Sequence, residues 1–250
     1  MNLEVFMPDK RTHRGAHPRD AALFAPEKTD AIRSAGADFS LLLGKGYADK
    51  STLKLVGDRY NLTHRQRLAV MRSACSKQQF QSRKSKQIDT NRISGKKIVI
   101  DGYNLLITIE AALGKGIIIL CQDGCYRDLA SVHGTYRKVV ETVPAIELIA
   151  DFLDCVGPAN VLWLLDKPVS NSGRLRALIE NMAKDNAWQW TVELVMSPDA
   201  LLIQTDEIVA TSDSVILDSC RQWVNLAAEV ITQKLPATEV LDLSLGNGVL

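Results

Sequence analysis

Three aspartates stand at the ends of short apolar runs: Asp101 closes KKIVID (96–101), Asp166 closes NVLWLLD (160–166) and Asp213 closes EIVATSD (207–213). Runs this rich in β-branched and aliphatic residues read as buried strands. In an open parallel sheet, ligands sit beyond the carboxyl ends of the strands. Neighbouring strands bring the three carboxylates to one edge, where repulsion raises their pKa values unless a cation neutralises them. An oxygen-only donor set suits Mg²⁺ or Mn²⁺ rather than zinc. Such an ion generates a hydroxide and stabilises the charge of an in-line phosphoryl displacement. Taken singly, an aspartate after a strand is more often a helix N-cap than a ligand. Three together, in an acidic half joined to a basic one, favour the ligand reading.

The elements that must position them alternate along the chain. Between and after the strands, the spacing predicts helices over Asn104–Leu113, from Pro144 to the stop at Gly157, over Gly173–Asp185, and after Asp213 through Ile231. Further strands are expected at 116–121, 191–195 and 240–245. Strands and helices in this alternation predict an α/β fold, a mostly parallel sheet covered by helices on both faces.

The first 95 residues have another texture. They carry 18 Lys and Arg against 9 Asp and Glu, whereas the remainder carries 12 against 20. The net charge of +1 therefore conceals a basic half suited to a polyanion and an acidic half. Helices are predicted from Pro26 to about Leu43, over Ser51–Val56 and from Thr63, where Gln66 completes a capping box. GDRYNLT (57–63) makes the last two a helix–loop–helix unit, which is either a small bundle or a nucleic-acid contact. From Lys77 to Arg92 apolar residues almost vanish, which predicts an exposed arm or linker. The expected division is a basic all-α domain over 1–76, the arm over 77–95 and the α/β domain over 96–250.

Composition excludes other classes. Apolar residues make 46% and charged residues 24% of the 250, ordinary globular values that rule out wholesale disorder. No apolar window is long enough to span a bilayer, and no secretory signal opens the chain. Five scattered cysteines read as free thiols in a reducing, cytoplasmic setting.

The segment IVIDGYNLL (98–106) resembles the opening motif of the PIN/NYN-like metal-dependent nucleases, in which a first strand delivers an aspartate closely followed by an asparagine. EIVATSDSVI (207–216) is similar to their late Ser/Thr–aspartate motif, and VLWLLDKPVSNSG (161–173) to the strand-end aspartate of the NYN branch. The likeness covers about residues 96–220, and the whole chain resembles a prokaryotic architecture that joins a basic helical domain to a PIN-like domain. The resemblance implies a PIN-like Rossmannoid sheet, with Asp101 as principal metal ligand and Asn104 bonded within the site. It further implies that Asp166 and Asp213 complete the carboxylate set and that Ser212 orients groups beside Asp213. RNA or single-stranded nucleic acid is the implied partner, and a homodimer is a further expectation, because many proteins of that family dimerise.

A further acid usual in that family has no secure place here. Asp123, Asp128, Asp199 and Asp206 all compete, and Asp128 is favoured because its polar, glycine-bounded stretch lets a carboxylate turn inward. A salt bridge to Arg127 or Arg137 is the alternative for Asp128. Ser172 and Arg174, with Ser170, Asn171, Lys167 and Arg176, stand at a helix start suited to a phosphate. Arg65, Arg67, Arg72, Lys77, Arg83, Lys84 and Lys86 are expected to hold nucleic-acid phosphates. Cys121, Cys125 and His133 lack a fourth zinc ligand, and no Walker or nucleophile–base pattern occurs. The leading expectation is a metal-dependent ribonuclease. A PIN-like binding scaffold and a phosphatase or nucleotide-binding protein are the competitors.

Overall fold

The computed structural model describes residues 12–130 and 134–245. Five helices come first: α1 (Asp20–Leu23), α2 (Pro26–Gly44), α3 (Asp49–Arg59), α4 (His64–Ser73) and α5 (Lys77–Lys86). Thr63 and Ser76 open α4 and α5 with complete capping boxes. The polar run expected to be an exposed arm is thus largely a helix. Its Ser76–Gln79 box supplies the start that the absence of apolar periodicity hid, and Arg83 on its inner face is 2% exposed.

The second half runs β1 (Lys97–Asp101), α6 (Gly102–Leu113), β2 (Ile118–Leu120), β3 (Tyr126–Asp128), α7 (Thr142–Val156), β4 (Asn160–Asp166), α8 (Ser172–Asp185) and β5 (Trp190–Val195). It continues through α9 (Pro198–Gln204), β6 (Ile208–Ala210), α10 (Ser214–Ser219), β7 (Trp223–Val224), α11 (Leu226–Lys234) and β8 (Val240–Asp242). The main sheet is parallel throughout, in the order β5-β4-β1-β6-β7. Helices flank it, so the chain has the α/β architecture that its alternating pattern predicts.

Side chains alternate across a strand. Ile98 and Ile100 of β1, with Trp163 of β4, therefore join a core with α6, α7 and α11. Val99, Leu164 and Val209 point to the opposite face, toward Leu202 of α9 and Ile216 of α10. Asp101, Asp166 and Thr211 share the parity of that second set, which puts all three on the α9–α10 face.

Three expectations change. The run 116–121 pairs with β3 and β8 in a separate three-stranded sheet rather than in the main one. The single helix expected after Asp213 breaks into α10, β7 and α11, because Trp223 and Val224 continue the parallel ladder beside β6. The boundary near residue 77 is not a break in packing. Phe24, Ile32, Phe39 and Val70 of the helical region share one core with Ile119, Cys121, Leu129 and Leu243 of the second half. Past α5, Gln87 bridges to Trp223, and the Ile88 amide donates to the Trp223 carbonyl at 2.9 Å. No described helix is long and apolar enough to cross a membrane.

Candidate active site at the carboxyl edge of the sheet

Asp101 ends the central strand, beside Leu164 of β4, so Asp166 lies two residues farther along the same face. On the other side Ile100 is level with Ala210, which places Thr211 next to Asp101. The Thr211 hydroxyl donates to Asp101 Oδ2 at 2.8 Å and accepts from the Asp213 amide at 3.0 Å. Asn104, in the first turn of α6, accepts through Oδ1 from the Ser212 amide at 2.9 Å and the Ser212 hydroxyl at 2.8 Å. From beneath, Arg127 Nε donates to the Ser212 carbonyl at 2.6 Å. The loop after β6 is thereby tied to the start of α6. Gly102 permits this turn: a Cβ there would lie 2.5 Å from Leu165 Cδ2 and 2.7 Å from the Leu164 carbonyl.

Asp213 does not end a strand. It sits three residues past β6 and caps α10, accepting from the Val215 amide at 2.8 Å and the Ile216 amide at 3.3 Å. Ser212, next to Asp213, holds the Asn104 side chain, while Thr211 orients Asp101.

Burial, offset in part by the Thr211 hydrogen bond, pushes the Asp101 carboxyl up to about 7, and the charges of Asp213, Asp199 and Asp166 add to the rise. Asp166 is raised by burial and then by Asp199, and Asp199 by burial and then by Asp213. Among the described residues none of these four acids pairs with an Arg, Lys or His. Asp199, in the first turn of α9, is therefore the fourth acid of the edge; Ser197-Pro198 ahead of it is a helix-start signal legible in the sequence. The donor chemistry, oxygen only and without a compensating cation, fits a hard divalent ion. The arrangement is spread out, however: among the described residues no group of three or more His, Cys, Asp or Glu side chains is gathered to hold a metal.

The other acids have structural partners. Asp128 accepts from Thr108 Oγ1 at 2.9 Å and from the Ala130 amide at 2.7 Å, and it pairs with Arg72 at 3.3 Å. Its side chain is occupied within the fold, and its cation is Arg72 rather than Arg127 or Arg137. Asp123 lies between Arg83 at 2.6 Å and Arg127 at 2.7 Å. Burial alone would raise its carboxyl, but the two guanidiniums hold it at about 2. Asp206 pairs with Arg221 at the surface.

Most of the arginines expected on nucleic acid are likewise engaged internally. Arg65 pairs with Asp20, Arg67 with Asp58 at 2.8 Å, and Arg83 with Asp123 and, at 2.6 Å, Asp218. Arg72 donates to the Asp128 and Ala130 carbonyls at 2.5 and 2.9 Å. Lys86 is half-buried and donates to the Asp218 carbonyl, while Lys77 and Lys84 stay exposed. Ser172 is buried, with its hydroxyl on the Lys167 carbonyl at 3.3 Å, and Arg174 is exposed. Cys121 and Cys125 are buried free thiols, and His133 lies outside the described residues.

These contacts bring α4 and α5 against the edge of the site. A cleft of about 490 Å³ is lined by Arg72, Tyr103, Asn104, Asp128, Ser212 and Asp213 among others. Tyr103 belongs to the DGYN turn. It is 8% exposed, and its buried hydroxyl has no hydrogen-bond partner among the described residues. Burial and then Asp166 raise the Tyr103 hydroxyl above the usual tyrosine range. An unpaired buried hydroxyl is costly unless something else completes it.

Comparison with known proteins places this arrangement in a family. The chain is 35% identical over 203 residues to Uncharacterized protein MJ0935 of Methanocaldococcus jannaschii, a match that covers 80% of this chain and 97% of the relative. No solved structure matches significantly. Residues 31–86, which take in most of α2 to α5, match Protein of unknown function (DUF434). Residues 90–229 match Domain of unknown function (DUF5616) and contain Asp101, Asp166, Asp199 and Asp213 together with Asn104, Tyr103 and Thr211. That match spans more than half of the sequence, and the chain belongs to the DUF5616 family.

Proposed function

We propose that the carboxyl edge is the active site of a PIN-like, metal-dependent nuclease that hydrolyses phosphodiester bonds in RNA. The observation that carries the reading is Asp101: a buried carboxylate at the end of the central strand, acted on by the charges of three further acids and paired with no cation among the described residues. Folding pays to desolvate a charge in this way where a ligand later compensates it. The orphaned Tyr103 hydroxyl on the adjoining cleft supports the same reading.

Asp101, Asp166, Asp199 and Asp213 would hold Mg²⁺ or Mn²⁺, which when bound supplies Lewis acidity and a hydroxide nucleophile. Thr211 keeps Asp101 Oδ2 fixed, and Asn104 holds the Ser212–Asp213 turn against the start of α6. Tyr103 lines the same cleft, with its hydroxyl, unpartnered among the described residues, buried beneath the surface. On this reading ion binding is accompanied by side-chain rotation of the half-buried Asp166 and Asp213 and the exposed Asp199.

The test is cleavage of labelled single-stranded RNA in Mn²⁺, Mg²⁺ or EDTA, wild type beside Asp101→Asn. Metal-dependent cleavage lost in the variant is expected. Equal activity in both proteins overturns the assignment. The absence, among the described residues, of a preformed group of three donors favours a second reading, a nucleic-acid-binding scaffold. RNA binding by both proteins, with no cleavage in any metal, decides for it.

A further inference from the structure

We propose that a basic groove between the segment after residue 134 and α8 binds the sugar–phosphate backbone of a single-stranded nucleic acid and leads it to the acidic edge. The choice of ligand rests on the nuclease reading above; the location rests on the groove itself. It is a depression of about 620 Å³, lined by Tyr136, Arg137, Lys138, Asn171, Arg174 and Leu175 among others.

The walls are locked together. Thr135 bridges to Ser170, the Tyr136 amide donates to the Ser170 carbonyl at 3.1 Å, and Asn171 Nδ2 donates to the Tyr136 carbonyl at 2.9 Å. Arg137 and Lys138 stand on one wall and Arg174 on the other. All three are exposed, and none forms an ion pair among the described residues. Among the described residues no acid lines the groove. This contrasts with Arg65, Arg67, Arg72 and Arg83, whose charges are neutralised within the fold.

The groove adjoins the acidic edge. Asn171 is five residues beyond Asp166, at most about 18 Å even if that segment were fully extended. The Tyr136 ring lies 5.3 Å from the ring of Tyr103 in the DGYN turn. Tyr136 itself is 1% exposed, so its ring offers no platform for stacking a base. Cations with neutral amides and no open aromatic suit phosphates rather than base readout.

The experiment is fluorescence anisotropy of a labelled single-stranded oligoribonucleotide in EDTA, so that cleavage does not intervene, across a salt series. The proteins are wild type, the triple variant Arg137→Ala/Lys138→Ala/Arg174→Ala, and Lys77→Ala/Lys84→Ala. Three lost phosphate contacts lower the salt slope by about 2, so raising salt from about 50 to about 200 mM costs the wild type roughly 20-fold more affinity than the triple variant. The Lys77/Lys84 variant is expected to keep the wild-type slope. The substituted side chains are exposed, so matching melting temperatures are expected, and Arg174→Glu is a second, single-site variant that must also weaken binding. An unchanged slope in the triple variant, a loss confined to the Lys77/Lys84 variant, or no binding by the wild type overturns the inference. Binding through this groove without cleavage in any metal removes the nuclease reading and leaves the inference standing. Metal-dependent cleavage with an unaltered slope does the reverse.

Discussion

Replacing Asp101 with asparagine keeps the side-chain shape and an oxygen for the Thr211 hydroxyl but removes a charge that the fold holds at a cost. In the folded protein this carboxyl is pushed from the ordinary 3.8 up to about 7. A raised carboxyl pKa penalises the folded state above about 7 and does so no longer below about 3.8. The stability owed to this group therefore falls as pH rises between those limits. A tenfold change in an ionisation constant is about 1.4 kcal/mol, so the penalty at about pH 8 is about 4 kcal/mol. Asp101→Asn is expected to be the more stable protein there, by about 8–16 °C in melting temperature for a chain of this length. At about pH 4 the two should melt together. The assay is thermal unfolding followed by circular dichroism in EDTA across that range. Equal melting at about pH 8, or a variant less stable at every pH, refutes the reasoning, because either result means the charge is already compensated. Adding Mn²⁺ is expected to raise the melting temperature of the wild type and not that of the variant.

Asp123→Asn removes the carboxylate that Arg127 pairs with and one of the two that hold the buried Arg83, and is expected to cost about 3–5 kcal/mol in urea unfolding. A loss below about 1 kcal/mol contradicts the network described. Because this carboxyl is held at about 2, its contribution is full above the ordinary 3.8 and disappears as pH falls through about 2, the opposite slope to that of Asp101. Gly102→Ala places a Cβ 2.5 Å from Leu165 and 2.7 Å from the Leu164 carbonyl, a clash of backbone as well as side chain. It is expected to destabilise by about 1–3 kcal/mol, and an unchanged melting temperature would show that the β1–α6 turn has slack.

Much of the architecture was legible in one dimension because its signals are local. KKIVID and NVLWLLD declare strands through consecutive apolar residues, and Thr63 with Gln66 declares a helix start within one turn. Asp101 and Asp166 were found because a strand's carboxyl end is a position that topology repeats. The helix α5 escaped because its capping box opens a run with almost no apolar face, and β7 because two residues are too short to show a period. Asp199 stands among the candidates in the sequence but ranks below Asp128 there, for a deeper reason. Local sequence does not reveal which carboxylate will meet a cation when the partner is remote, as with Arg72 and Asp128, 56 residues apart, or Arg83 and Asp218, 135 apart. Long-range pairs of this kind neutralised Asp123, Asp128, Arg65, Arg72 and Arg83, while no described cation pairs with the acids of the edge. The sequence alone determined the alternation of elements and the strand ends on which two acids stand. Tertiary structure decided which charges remain unpaired, because burial and long-range partners, rather than neighbours in the chain, set the free energy of an ionised side chain.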